Sequence, residues 1–159
     1  RQPPEIGGAK ESENNVKINQ LSLFLENKPG HLRSACKALA GAGINILTLS
    51  LADTQQFGIL RLIVKEWQKA KSVLEEAGGV VKVTEVVATE VADKPGGMAQ
   101  VLEVIDQAGL NIEYMYAFTF RRNDKAVLVF RFDDADAAVS KLSAAGIKVI
   151  GSKELFEGK

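Results

Sequence analysis

Two hexapeptides hold the residue types from which a site for a small zwitterion can be built: Glu26-Asn27-Lys28-Pro29-Gly30-His31 and Ala92-Asp93-Lys94-Pro95-Gly96-Gly97. In each, an apolar run stops and a helical pattern starts. Pro fixes φ near −65° and has no N–H to lose at a helix start, while Gly lets a ligand or another backbone come close. The first N–H groups of such a helix have no intrahelical partner and lie at its positive end. A carboxylate would therefore sit against the N–H groups of Gly30 and His31, or of Gly96 and Gly97. An ammonium would take its acceptors from Asn27, Asp93 or the carbonyls of an unpaired strand edge. Asn27 and Asp93 each lie two residues before the Pro, where they serve either to cap the helix or to meet a ligand. Both roles are open at this level.

The rest of the chain offers little chemistry. There is no Gly-x-Ser-x-Gly, no His-Glu-x-x-His and no phosphate loop ending in Gly-Lys-Ser/Thr. His31 has no copy in the second hexapeptide, where Gly97 stands instead. No residue is assigned a catalytic role, and the expectation is a protein that is not an enzyme. One Cys and one His leave no metal-ligand cluster and no internal disulfide, so neither metal nor cofactor is expected. Cys36 falls on an apolar helical stripe, the place of a small core residue.

Twenty basic and twenty acidic residues among 159 give formal net charge zero, and no whole-molecule field draws this chain to nucleic acid. No apolar run approaches the roughly 18–20 residues that span a bilayer, and no secretory pattern is present. A cytoplasmic location is the expectation. Residues 1–16 lack periodicity and are rich in Pro, Gly, Glu, Lys and Asn, a disordered tail or linker. The missing initiator Met is consistent with a piece of a longer protein.

The elements that must position the hexapeptides follow from periodicity. Leu21, Leu23 and Leu25 alternate with Gln20, Ser22 and Phe24, a half-buried strand. After Pro29-Gly30, Leu32, Ala35, Cys36 and Leu39 form one helical stripe that Gly41 or Gly43 can close. Asn45 to Ala52 and Phe57 to Val64 read as two strands around a polar turn. Trp67, Ala70, Val73, Leu74 and Ala77 make a second helix ended by Gly78-Gly79, and Val80, Val81 and Val83 begin a strand. The order then restarts: a strand from Val86 to Val91, a helix on Met98, Val101, Leu102 and Ile105, and strands from Ile112 to Phe120 and Ala126 to Phe132. A helix on Ala135, Ala138, Val139 and Leu142 and a last strand from Ile147 complete it. Tyr114, Tyr116, Phe118 and Phe120 alternate on one face, where burial is expected rather than stacking on nucleobases.

Pro29 and Pro95 are 66 residues apart (95 − 29), as are Gly43 and Gly109, and Asn45 and Asn111. The chain is an internal duplication. One unit of about 66 residues buries only about 60% of its unfolded surface, so each needs further support. The expected fold class is α+β: two tandem βαββαβ units, residues 17–84 and 85–159, with antiparallel sheets and helices on one face.

Leu23-Phe24-Leu25-Glu26-Asn27-Lys28-Pro29-Gly30-His31-Leu32 with Ala42-Gly43-Ile44-Asn45-Ile46 resembles the start of an ACT domain, and Asp93-Lys94-Pro95-Gly96-Gly97-Met98 with Gly109-Leu110-Asn111-Ile112 resembles it again. The resemblance runs from Lys17 to about Phe156 and implies a tandem pair of ferredoxin-like, amino-acid-binding regulatory modules. It implies a ligand held at a domain interface by Asn27, Pro29, Gly30, His31, Leu32, Asn45 and Ile46. In the second copy the implied set is Asp93, Gly96, Gly97, Met98, Asn111 and Ile112. Serine-binding members of that family add a His two residues before the loop Asn, where this chain has Leu25. The resemblance further implies a small-molecule amino acid ligand, a homodimer and a regulated biosynthetic enzyme as partners. The other reading is a structural or dimerising module without a ligand.

Overall fold

The computed structural model describes residues 16–54, 56–119 and 121–157. The expected tail over 1–16 lies almost wholly outside the described residues, as does Phe120. The chain divides into two compact units, Asn19–Glu85 and a second made of Val86–Lys159 with the N-terminal segment up to Ile18.

The first unit contains β1 (Ile18–Glu26), α1 (His31–Gly41), β2 (Thr48–Thr54), β3 (Phe57–Ile63), α2 (Trp67–Glu76) and the first part of β4 (Val80–Ala92). Its strands lie in the order β2-β3-β1-β4. Pairing is antiparallel, with Leu21 opposite Leu62 and Leu23 opposite Leu60. That register puts the alternating leucines of two strands on one face, where they meet Ala35 and Leu39 of α1 and Ala70 and Leu74 of α2 in a single cluster. Each such buried leucine contributes on the order of 1.5–3 kcal/mol. The helices accordingly cover the leucine face. Trp67 packs against this cluster, as an anchor of α2.

The second unit repeats the plan with α3 (Gly97–Gln107), β5 (Ile112–Ala117), β6 (Lys125–Phe132), α4 (Ala135–Ala144), β7 (Val149–Ile150) and a short α5 (Ser152–Glu157). The later part of β4 is its first strand, and the order β5-β6-β4-β7 matches that of the first unit. Val87, Val91, Leu128, Phe130 and Phe132 form a core with Val101, Ile105, Ala138 and Leu142 of the two helices. Phe130 and Phe132 stack with centroids 5.5 Å apart. This is the tandem ferredoxin-like α+β fold that the repeat implies.

Four details differ from the periodicity reading. Strand β1 is not half-buried along its length: Gln20 and Ser22, opposite its leucines, are buried too, with Gln20 Nε2 donating to Ser22 Oγ at 3.2 Å. The runs starting at Val80 and Val86 are one strand, Val80–Ala92, because neither Gly nor Pro interrupts Lys82 to Glu85. Helix α5 is too short to declare itself by a stripe. Strand β5 ends at Ala117, before the aromatic alternation does; Tyr114 and Tyr116 are half-buried and Phe118 is buried. The four long helices among the described residues end alike. At α1 the chain reverses through Gly43 in the left-handed region, φ 71°, and Ile44 N–H returns to the Leu39 carbonyl at 3.0 Å. A lysine from the second helix of each unit covers the exposed carbonyl there: Lys69 Nζ donates to Ala42 O and Lys141 Nζ to Ala108 O, each at 2.8 Å.

Candidate functional site

Both Pro-Gly turns fold as helix entrances with a glycine, not a side chain, at the cap. Gly30 (φ 89°) and Gly96 (φ 85°) occupy the N-cap position of α1 and α3, and neither helix receives a side-chain cap hydrogen bond. The capping role open to Asn27 and Asp93 is therefore not the one they take: Pro-Gly stands between them and the helix, too far along the chain for their oxygens to fill the cap. The first N–H of each helix, expected to meet a ligand carboxylate, is taken by its own turn: His31 N–H donates to Lys28 O at 3.3 Å and Gly97 N–H to Lys94 O at 3.0 Å, which leaves the following N–H groups at the positive end.

In the first turn Asn27 N–H donates to Gln56 O at 3.0 Å, tying the turn to the β2–β3 connection, and Lys28 N–H donates to Glu26 O at 2.8 Å. Ser34 Oγ and N–H both donate to Gly30 O at 2.9 Å, which fixes the first helical turn. Glu26 and Lys28 form an exposed ion pair at 2.9 Å. The hydrogen bond from Lys28 holds the Glu26 carboxyl below its ordinary range, and the same bond raises Lys28.

The second turn differs in two ways. Asp93 pairs with Arg121 of the β5–β6 hairpin at 2.8 Å, so the repulsion that a bare Asp would exert on a ligand carboxylate is offset. Gly97, buried where His31 is half-exposed, starts α3 against the strand end: a Cβ there would lie 2.0 Å from Ala92 O. Backbone thus fills the space that a side chain occupies in the first copy.

Each unit also has a cleft at this end, between the start of its first helix and the end of its second. In the first unit it measures about 430 Å³ and is walled by Leu25, Ala35, Leu74 and Val80, with Glu26, His31 and Ser34 supplying polarity. Its counterpart measures about 260 Å³ and is bordered by Gly97, Gln100 and Gly146, with Glu90, Lys125 and Lys148.

The implied ligand residues form two groups in each unit. Asn27, Pro29 and Gly30, all exposed, lie with His31 and the exposed Leu32 at one end of α1; Asn45, exposed, and Ile46, half-buried, lie beyond its other end. Eleven helical residues put about 16 Å between those ends. Asp93, Gly96, Gly97 and Met98 are separated in the same way from Asn111 and Ile112 by α3. Within one unit the two groups do not meet. Sequence reasoning missed Arg121, Glu90 and Arg122: the Arg-Arg pair reads as a polar connection, and Glu90 as the out-facing residue of an alternating strand. Among the described residues no group of three or more His, Cys, Asp or Glu could hold a metal ion, and no helix is long and apolar enough to cross a membrane.

A family model described as "ACT domain pair" matches residues 16–157. Among solved structures the chain is similar to protein BT0572 from Bacteroides thetaiotaomicron, at 35% identity and a TM-score of 0.84, over 90% of this chain and 98% of that one. It shares its fold with the regulatory subunit of aspartate kinase from Thermus thermophilus, at 20% identity and a TM-score of 0.60 over 83% and 95% of the two chains. The Thermus flavus subunit gives 20% identity and 0.56 over 80% and 92%. No curated protein sequence matches the chain.

Proposed function

The chain belongs to the ACT domain pair family, and from that premise we propose that it is a non-catalytic regulatory protein that senses a small amino acid at a domain interface. The observation that carries this reading is the duplicated Pro-Gly helix entrance, whose glycine N-cap leaves the first N–H groups of α1 and α3 without a side-chain cap. The N–H groups of His31 and Gly97 are taken by Lys28 O and Lys94 O, and the next ones along each helix suit the carboxylate of an amino acid, with Asn27 or Asp93 on the same turn for its ammonium.

The separation of Asn27 from Asn45 by the length of α1 supports an interface rather than an internal site. A ligand that touches both types of residue needs a neighbouring domain or a second copy of the chain. Strand β2 is the edge of the first unit's sheet and carries Leu49 and Leu51, 42% and 51% exposed. Antiparallel pairing of two such edges about a two-fold axis sets the start of one β2, next to Asn45, beside the end of the other, next to the Asn27 turn. A homodimer follows in this reading, working in the cytoplasm on a biosynthetic enzyme. Leu25, at the position of the serine-binding His, favours a ligand more apolar than serine.

Thermal denaturation against each of the twenty amino acids tests the proposal. A ligand at 100 times its dissociation constant stabilises by about 2.7 kcal/mol. Calorimetry then places the site: Asn27→Ala should weaken binding at least roughly tenfold, the loss of a hydrogen bond to a charged group, and Asp93→Ala should do less. No response to any amino acid would favour the other reading, a structural or dimerising module.

A further inference from the structure

In the second unit a buried carboxylate stands among cations without a hydrogen bond to complete it. The Glu90 side chain is only 5% exposed; Arg122 Nε lies 3.3 Å and Lys148 Nζ 3.6 Å from its Oε1, and Lys125 Nζ 3.8 Å from Oε2. Yet Glu90 Oε1 accepts no hydrogen bond and Arg122 Nε donates none. Buried polar atoms are nearly always paired, and a buried charge held by Coulomb attraction alone is costly.

The surrounding cations are not equally committed. Arg122 donates to Glu154 O at 2.8 Å and to its Oε1 at 3.1 Å, which anchors α5. Lys148 is shared between Glu90 and Glu154, the latter at 2.8 Å. Lys125 and Lys148 are both half-exposed and line the 260 Å³ cleft with Glu90 itself. Three positive and two negative side chains leave one positive charge in excess.

We propose that this cleft is a site for a small amino dicarboxylate, whose ammonium donates to the Glu90 carboxylate and whose carboxylates lie on Lys125 and Lys148. Such a ligand carries one net negative charge and so balances the cluster, whereas a neutral amino acid leaves the excess and an amine increases it. The cleft falls below the roughly 300 Å³ at which drug-sized pockets begin, which suits a ligand of this size. The fold alone does not produce the cluster. The first unit has Phe24 at the position of Glu90, 66 residues earlier, and among the described residues no lysine lines its larger cleft. The cleft borders the second turn through Gly97, but none of the three contact residues belongs to a Pro-Gly turn, so the ligand contacts differ from those proposed above.

Titration calorimetry of the whole chain with L-aspartate, L-glutamate, succinate and L-alanine is the test. L-aspartate or L-glutamate should bind, and succinate, without an ammonium, and L-alanine, without the second carboxylate, should bind at least roughly tenfold more weakly. Lys125→Gln, a change at a half-exposed position, should weaken the amino diacid to a similar degree, and Glu90→Gln should abolish the preference over succinate. Asn27→Ala and Asp93→Ala should both leave this binding intact, which separates it from either turn site. The inference is overturned if neither amino diacid binds the native chain, if succinate binds equally well, or if Lys125→Gln leaves the affinity unchanged.

Discussion

Replacing Gly97 by Ala should destabilise the second unit, although Ala is the better helix residue by about 1 kcal/mol. The added Cβ would lie 2.0 Å from Ala92 O and 3.0 Å from its carbonyl carbon. Real Cβ contacts below 3.0 Å essentially do not occur, so the start of α3 and the end of β4 must part by about 1 Å. Ala92 O also accepts the Lys94 N–H at 3.0 Å, a bond worth about 1 kcal/mol that the shift disturbs. Overpacking of this kind costs about 1–3 kcal/mol, and since the disturbed hydrogen bond offsets the helix gain, the net loss should stay at about 1–3 kcal/mol. Gly41→Ala is the matched control: it lies in α1, has nothing within 4 Å of the new Cβ, and should gain about 0.5–1 kcal/mol. Urea denaturation of both variants measures the difference, and their midpoints should move in opposite directions. A Gly97→Ala protein as stable as the native one would refute the close approach.

Lys148→Met should loosen α5 and remove part of its pH dependence. Glu154 is held below its ordinary 4.5, first by its hydrogen bond from Lys148, so its stabilisation is full above that value and fades as pH falls through the lowered one. Lys148 is raised above 10.5, first by the same hydrogen bond, so its share is full below that value and fades as pH climbs through the raised one. Amide exchange in α5 at acid and neutral pH reads this. Lys69→Met should cost about 0.5–1.5 kcal/mol by stripping the Ala42 carbonyl of its donor, seen as a lower urea midpoint. Asn123 and Asp124 form a two-residue hairpin turn with φ 49° and 58°. Asn123→Gly should be neutral or stabilising there, and Asn123→Val should destabilise by about 1–2 kcal/mol by thermal denaturation.

Much of the architecture was legible because the repeated units obey two simple periods. Leucines at every second position of β1 and apolar residues at i, i+3 and i+4 of α1 point to one core, and they meet there. The 66-residue offset did the same for the second unit. What stayed hidden depends on distances that periodicity does not encode. Nothing in Asp93-Lys94-Pro95-Gly96 announces Arg121 from a hairpin nearly thirty residues later. Glu90 has the alternation of an ordinary outward residue, and only the convergence of Arg122, Lys125 and Lys148 buries it. The glycine caps show why the turns misled in one respect: polar residues near a helix start suggest caps, but Pro-Gly had already supplied the left-handed residue that the entrance uses.

The lysines that cover the ends of α1 and α3 are not copies of one another. Lys69 stands nine residues before Gly78, and Lys141 five before Gly146, so the two sit one helical turn apart on the same face of their helices. The two units thus make the same contact from different positions. A substitution that strands the Ala42 or Ala108 carbonyl can be rescued from a second position four residues away. Position-by-position comparison of the halves would miss this shared contact, because the lysine that makes it stands at a different place in each.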